Sequence, residues 1–332
     1  MDFTLTDEQQ LLTDTARALL SAECPPSVAR ASLDDPAASA PLWKHLKEWV
    51  VLGDGPLVDL CLFLEQCGLA LAPGPYLPSV LALSLLRLAG VDDLAGELAS
   101  GSRRATVAPG ARAPFVMDAA DVDVVVVLTG EAHVSVHGTP IVATEVETLD
   151  GTRRLYEIDV AESGEPLAQA KVVPAAVDQW FDHAWIALAA EMVGGARRML
   201  DMTVAYAKER VQFDQPIGAF QAVQHQLADL AFEVERATAA VYEAAMVADA
   251  ALTGTQPPEE RRRAAHVAKA VAGAAATGAA KQSIQTHGGI GYTWEHDLHL
   301  YIRRAYASEH LFGTRSWHHD RLADLLLSSR HG

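Results

Sequence analysis

The stretch AAHVAKAVAGAAATGAA, Ala264 to Ala280, limits what this chain can fold into more than any other. Alanine has the highest helix propensity of the common residues, because it gives up no side-chain entropy when a helix forms. Apolar residues at three- and four-residue spacings run through most of the chain from Asp178 onward, which predicts a bundle of four or five helices. Half of the 332 residues are hydrophobic and only 6% are aromatic. That balance suits helices and disfavours an all-β sandwich or barrel.

The front of the chain is also helical in pattern. Thr6-Asp7-Glu8-Gln9 predicts a helix start, with Thr6 as N-cap and Gln9 at the capping-box position. Helical pieces follow to about Gly90, broken at Pro25-Pro26, from Asp34 to Pro41 and from Gly53 to Pro56, and Ala72 to Pro78 reads as a rigid connector. From about Arg103 the texture changes. The runs Val122 to Leu128, Ala132 to Val136, Ile141 to Val146 and Arg154 to Val160 are short and β-branched and lie between Gly, Asp and Thr, as strands do. Helix returns at Asp178, Gly254 to Pro258 divides two long helices, and Gly288 to Gly291 ends another. The expected fold is mainly α with a small central β module: an N-terminal helical domain at 1–102, a reduced β domain at 103–177 and a C-terminal helical bundle at 178–332.

A formal net charge of −17 speaks against a nucleic-acid partner, since phosphate binding needs clustered Lys and Arg. The basic clusters Arg261 to Arg263 and Arg303-Arg304 are short and read as helix faces. Cys24, Cys61 and Cys67 are odd in number and lack the paired spacing of a zinc or redox site, which suits a reducing cytoplasm. MDFTLTDEQQLL has no basic or apolar leader region, and no run reaches the roughly 18 apolar residues of a membrane span. The expectation is a cytoplasmic protein without a membrane partner. His296/His299 and His318/His319 lack companion ligands at convincing spacing, so no metal is expected.

Two longer stretches carry chemistry. The first is AYAKERVQFDQPIGAFQAVQHQLADL, Ala205 to Leu230, and the second is QTHGGIGYTWEHDLHLYIRRA, Gln285 to Ala305. In this order they resemble the C-terminal domain of the acyl-CoA dehydrogenase family. The resemblance is good from Phe181 to about Leu327, moderate over the N-terminal helices and poor over the β module. It implies the same three-part fold and α,β-desaturation of an acyl-CoA, in which a carboxylate takes the α proton and FAD takes the β hydrogen as hydride. A positioned base is needed because the α proton is only weakly acidic.

The resemblance also implies site residues. Arg210, Gln212, Phe213, Ile217, Phe220 and Gln221 in the first motif, with Gln285, Gly288 and Gly289 in the second, match positions that contact the FAD of a neighbouring subunit. A planar, permanently charged guanidinium suits a pyrophosphate, and glycine lets a backbone approach a ligand closely. Taken alone, Arg210 reads more plainly as a surface ion pair with Glu209 or Asp214.

The family's base is missing. It usually stands immediately before a Gly-Thr pair, here Gly313-Thr314, and the matching residue is Phe312. The alternative seat, on the first helix of the C-terminal domain, falls on Ala184. Glu309 and Glu191 lie about one and two helical turns from these positions and read as structural carboxylates. The family's own-flavin segment Thr-Glu-Pro-x-x-Gly-Ser has no counterpart in the β module, the loop near Gly53 is short, and Ser316 stands where a Gln or Glu is usual.

What a subunit lends to its neighbour's cofactor is thus kept, and what serves its own is lost. This resembles the shortened, base-lacking subunit of actinobacterial heterotetrameric (α2β2) steroid acyl-CoA dehydrogenases. The resemblance implies a shared FAD, a full-length catalytic partner that binds most of the acyl-CoA, and an electron-transfer flavoprotein as acceptor, with this chain inactive alone. Two other readings stand beside it: a self-sufficient homo-oligomeric enzyme using Glu191 or Glu309 as base, and a non-enzymatic helical scaffold.

Overall fold

The computed structural model describes residues 4–130, 132–161 and 163–328. The chain forms two compact units, one of Ser21–Leu60 and Pro73–Ala184, the other of the residues up to Leu20, Cys61–Ala72 and those from Trp185 on.

In the first unit, α2 (Pro26–Asp34), α3 (Ala40–Leu46), α5 (Tyr76–Leu88) and α6 (Asp92–Ala99) accompany seven strands. The connector expected up to Pro78 is shorter than its composition suggests, because α5 already starts at Tyr76. Pro78 falls in the first turn, where its missing N–H has no helical partner to lose. The four β-branched runs become β3 (Val124–Thr129), β4 (His133–Gly138), β5 (Val142–Val146) and β6 (Leu155–Asp159).

Three strands have no such local signal: β1 (Ala105–Ala108), β2 (Arg112–Met117) and β7 (Ala168–Lys171). They are strands because of their partners. One sheet runs β1-β3-β4-β7 and the other β2-β6-β5. β1 pairs with β3 in parallel, and Ser79 of α5 both donates to the Ala105 carbonyl (3.1 Å) and accepts its N–H (3.0 Å). Val125 and Val127 of β3 join Ala113, Val116, Tyr156 and Ile158 in one buried cluster.

The second unit is the helical bundle. Its first helix, α1 (Asp7–Glu23), opens with the expected capping box: the Thr6 N–H donates to Gln9 Oε1 and the Gln9 N–H to Thr6 Oγ1, each at 3.2 Å. α4 (Leu57–Ala70) and α7 (Pro174–Glu209) contribute their parts from Cys61 and Trp185. α7 begins at Pro174, before the expected Asp178, since proline's fixed φ and missing N–H suit a first helical turn. α8 (Gln221–Leu252), α9 (Pro258–His287), α10 (Leu298–His310) and α11 (Arg315–Ser328) complete it. α9 packs against α8, α10 and α11, so its alanines are buried on several sides.

α4 and α7 cross with their backbones in contact. A Cβ on Gly68 would lie 2.0 Å from the Glu191 carbonyl oxygen, and one on Gly194 would lie 2.0 Å from that of Glu65. The crossing buries Glu65, which accepts from Arg197 Nε (3.3 Å) and from the Tyr242 hydroxyl, while Arg197 Nη1 reaches Glu235 at 2.7 Å. Opposite outcomes are expected for two Gly→Ala changes. Gly194→Ala should cost about 2–3 kcal/mol by overpacking, whereas Gly278→Ala, with open space around its would-be Cβ on α9, should gain about 0.5–1 kcal/mol from helix propensity. Denaturant unfolding of the two variants measures both.

Candidate functional site

Arg210 follows α7 directly and leads into a two-stranded hairpin, β8 (Val211–Gln212) and β9 (Gln215–Pro216). Only Phe213 and Asp214 lie between the strands, and both have positive φ, 52° and 62°. That is the pattern of a two-residue type I′ loop, which accepts Asp readily but strains a bulky residue. The strained Phe213 ring gains little burial in return. It is 86% exposed, with the Phe220 ring set edge-on to it at a centroid separation of 6.2 Å.

Among the described residues the Arg210 guanidinium makes no hydrogen bond or ion pair, so the plain reading of a pair with Glu209 or Asp214 is not what the chain forms. Gln212 and Gln221 are exposed, and Ile217 and Phe220 are half-buried beside them.

The second motif reaches the same end of the bundle. Gln282 Nε2 of α9 donates to Gln226 Oε1 of α8 at 2.9 Å, and His287, the last residue of α9, stacks on Tyr206 of α7 with centroids 4.4 Å apart and planes at 19°. Gln285 is exposed on the last turn, and the chain leaves the helix through Gly288 (φ 61°) into a 3-10 turn, Gly288–Tyr292. Neither Gly288 nor Gly289 has an atom within 4 Å of a would-be Cβ. Gly288 is explained by its φ; for Gly289, nothing in the chain's own packing asks for a glycine.

These residues fit one part of FAD. A guanidinium with no partner among the described residues, at the same end of the bundle as an open glycine turn, has the charge and the backbone access that a pyrophosphate needs. The Tyr206–His287 stack that ties the two motifs together was not legible in either motif, because the partners are far apart in sequence.

The positions matching the family's base lie elsewhere. Ala184 is fully buried. Phe312 is half-buried with φ 56°, followed by Gly313 at φ 104°, in the loop between α10 and α11. Lys269 of α9, with no exposed surface, holds that loop by donating to the carbonyls of Glu309 (3.2 Å) and Gly313 (3.1 Å). Glu309 Oε1 accepts the Arg315 N–H at 2.7 Å, and its Oε2 lies against Gly273, where a Cβ would come within 2.0 Å. Beside Lys269, His266 and His318 join Nδ1 to Nδ1 at 2.8 Å, and the Trp185 ring packs 4.5 Å from His266.

Glu191, the other carboxylate near a base position, is buried and takes a 2.7 Å bond from Arg304 Nη1. A bidentate-capable, permanently charged partner at that distance ties the side chain into the bundle interior. A water-sized cavity adjoins the pair, lined also by Gly68, Met192 and Tyr301. Among the described residues, no three His, Cys, Asp or Glu side chains are grouped to hold a metal ion, and no helix is long and apolar enough to cross a membrane.

Comparison with known proteins gives consistent matches. A family model described as the acyl-CoA dehydrogenase C-terminal domain matches residues 174–327. Acyl-CoA dehydrogenase IpdE2 of Mycobacterium tuberculosis is 37% identical over 319 residues, covering 92% of this chain and 93% of that protein. A solved structure described as a Tcur3481-Tcur3483 steroid ACAD variant matches at a TM-score of 0.85 and 25% identity, covering 99% and 100% of the two chains. The ChsE4-ChsE5 complex from Mycobacterium tuberculosis matches at a TM-score of 0.83 and 24% identity, covering 98% and 99%.

The cluster under the Phe312 loop makes stability pH-dependent. His266 and His318 are lowered from 6.5 to about 4 and about 3, mainly by burial, with Arg262 and Arg321 adding to the first and Lys269 and His266 to the second. In the unfolded chain both take protons near 6.5, so between that pH and the folded values the unfolded state holds up to two more protons. Stability is therefore present above 6.5 and lost as the pH falls. The melting temperature should drop steadily from about pH 7 to about pH 4.5, and His318→Gln should flatten the decline; a melting temperature constant across that range would contradict the assignment.

Proposed function

The chain belongs to the acyl-CoA dehydrogenase family, and from that membership we propose that it is the base-lacking subunit of a heteromeric FAD-dependent dehydrogenase. It completes the flavin site of a full-length catalytic partner in an α2β2 heterotetramer and is inactive alone. The observation that supports this reading is an imbalance. Arg210 and Phe213 are exposed at one end of the bundle beside an open glycine turn, while Phe312 and Ala184 fill both family positions of the base.

When bound, FAD would supply a hydride acceptor for the β hydrogen of the acyl-CoA. The part of this chain is to bind and orient. Arg210 would neutralise pyrophosphate charge, the backbone at Gly288 and Gly289 would be open to its approach, and Gln212, Gln221 and Gln285 would offer amide hydrogen bonds. Phe213, Ile217 and Phe220 would cover apolar parts of the cofactor and exclude water. No group of this chain takes the α proton: phenyl and methyl side chains cannot, Glu191 is held by Arg304, and Glu309 has one oxygen on the Arg315 N–H and the other enclosed against Gly273. The partner's carboxylate does so.

The substrate is a steroid-derived acyl-CoA held mainly by the partner, and an electron-transfer flavoprotein reoxidises the complex. The matching structures described as a steroid ACAD and as a ChsE4-ChsE5 complex support the substrate class and the two-chain assembly. Cys24, Cys61 and Cys67, buried and not joined in a disulfide, suit a reducing cytoplasm.

Purified alone, the chain is expected to carry no FAD and to show no dehydrogenase activity. Co-expressed with the catalytic partner, it should give about one FAD per pair of unlike chains, read from the flavin absorbance. One FAD per lone chain would overturn the proposal. Arg210→Ala should weaken FAD binding to the complex by about 10–100-fold through loss of a charge-assisted contact.

A further inference from the structure

His287 sits between the two segments assigned to the cofactor and is itself shielded from it. It is 4% exposed. Its Nδ1 lies 2.8 Å from the Ser283 carbonyl one turn back. A carbonyl can only accept, so Nδ1 carries the proton and Nε2 is left as a lone pair. That Nε2 is buried with no partner among the described residues. An apolar side chain would avoid the cost of a buried, unpaired nitrogen, so packing alone does not account for a histidine here.

What the imidazole adds is orientation. The Nδ1 bond fixes the ring, and the fixed ring lies nearly flat on Tyr206, with His296 against it at 4.8 Å. Both sides of the stack lead into the candidate site. On α7, the Arg210 N–H donates to the Tyr206 carbonyl at 2.8 Å, and the Ile217 N–H donates to the Arg210 carbonyl at 2.8 Å, so the base of the hairpin hangs from the turn that carries Tyr206. On α9, His287 is followed at once by Gly288. One turn back, Thr203 Oγ1 donates to Ser283 Oγ at 2.8 Å and sets the same register between the two helices.

We propose that His287 is a positioning residue for the flavin: oriented by Ser283 and stacked on Tyr206, it sets the separation of the Gly288-Gly289 turn from Arg210, so that both act on one pyrophosphate. Burial lowers its pKa, opposed by the Ser283 bond and aided by His296, which keeps the ring neutral at physiological pH. The proposal rests on the shared-flavin reading above.

The test is FAD affinity, measured by flavin fluorescence on the complex co-expressed with the catalytic partner, with assembly followed by size-exclusion chromatography. His287→Ala and Tyr206→Leu should each weaken FAD by about 5–10-fold, the size of one lost ring stack, with assembly unchanged. The double variant should be no weaker than either single one, because both remove the same contact. Tyr206→Phe keeps the ring and should bind FAD as the parent does.

Tyr206 is reached without altering the buried residue, so a poorly folding His287→Ala leaves the test intact. Full additivity in the double variant, or Tyr206→Phe as weak as Tyr206→Leu, would overturn the proposal. Parent-like affinity in Tyr206→Leu and His287→Ala, with Arg210→Ala weakened, would overturn the positioning role alone. Parent-like affinity in all three would remove the shared-flavin reading as well.

Discussion

The bundle depends on α9 being thin. Helices α8, α10 and α11 pack on it, α7 touches it through Trp185, Thr203 and Tyr206, and side chains larger than alanine along its length would hold them apart. Ala265, Ala268, Ala272, Ala276 and Ala279 are buried in that space. The two ends of the packed segment then carry the polar residues that matter. His266 and Lys269 stand near its start, and Ser283 and His287 at its end. A helix that is small-sided in the middle and polar at two chosen places fixes both the Phe312 loop and the glycine turn relative to one rod.

Buried polar groups in this bundle serve to close it. Lys269 is fully buried, lowered to about 8 by burial against the pull of Glu309, and it uses its protons on loop carbonyls. Glu191 and Arg304 satisfy each other, and Glu65 is shared by Arg197 and Tyr242. A catalytic carboxylate must be free to gain and lose a proton beside a substrate. These carboxylates are instead bound to donors inside a packed core, which is how a protein avoids the cost of stranded charge. Phe312 stands half-buried in a loop that Lys269 fixes from the interior.

The outer end of the bundle behaves in the opposite way. There the chain accepts backbone strain at Phe213 and exposes its ring, leaves a guanidinium unpaired, and places a glycine where its own packing asks for none. Strain and exposure kept without internal compensation point outward, to a ligand or another subunit. The contrast between the paired carboxylates Glu65 and Glu191 inside the bundle and the uncompensated strain and exposure at its end is the physical core of the functional reading.

Local pattern made much of this legible. The Thr6–Gln9 box, the four β-branched strands and the break at Gly254 to Pro258 are read from short windows, because capping, one-face burial and turn propensity are short-range effects. The two motifs named a family in the same way. Other features were decided only by tertiary structure. Ala168 to Lys171 is a strand because β4 offers it hydrogen bonds, Glu191 found Arg304 across the bundle, and Tyr206 found His287 on another helix. Each joins residues distant in the chain, so no periodicity records it; packing chooses the partner, and with it the chemistry left available.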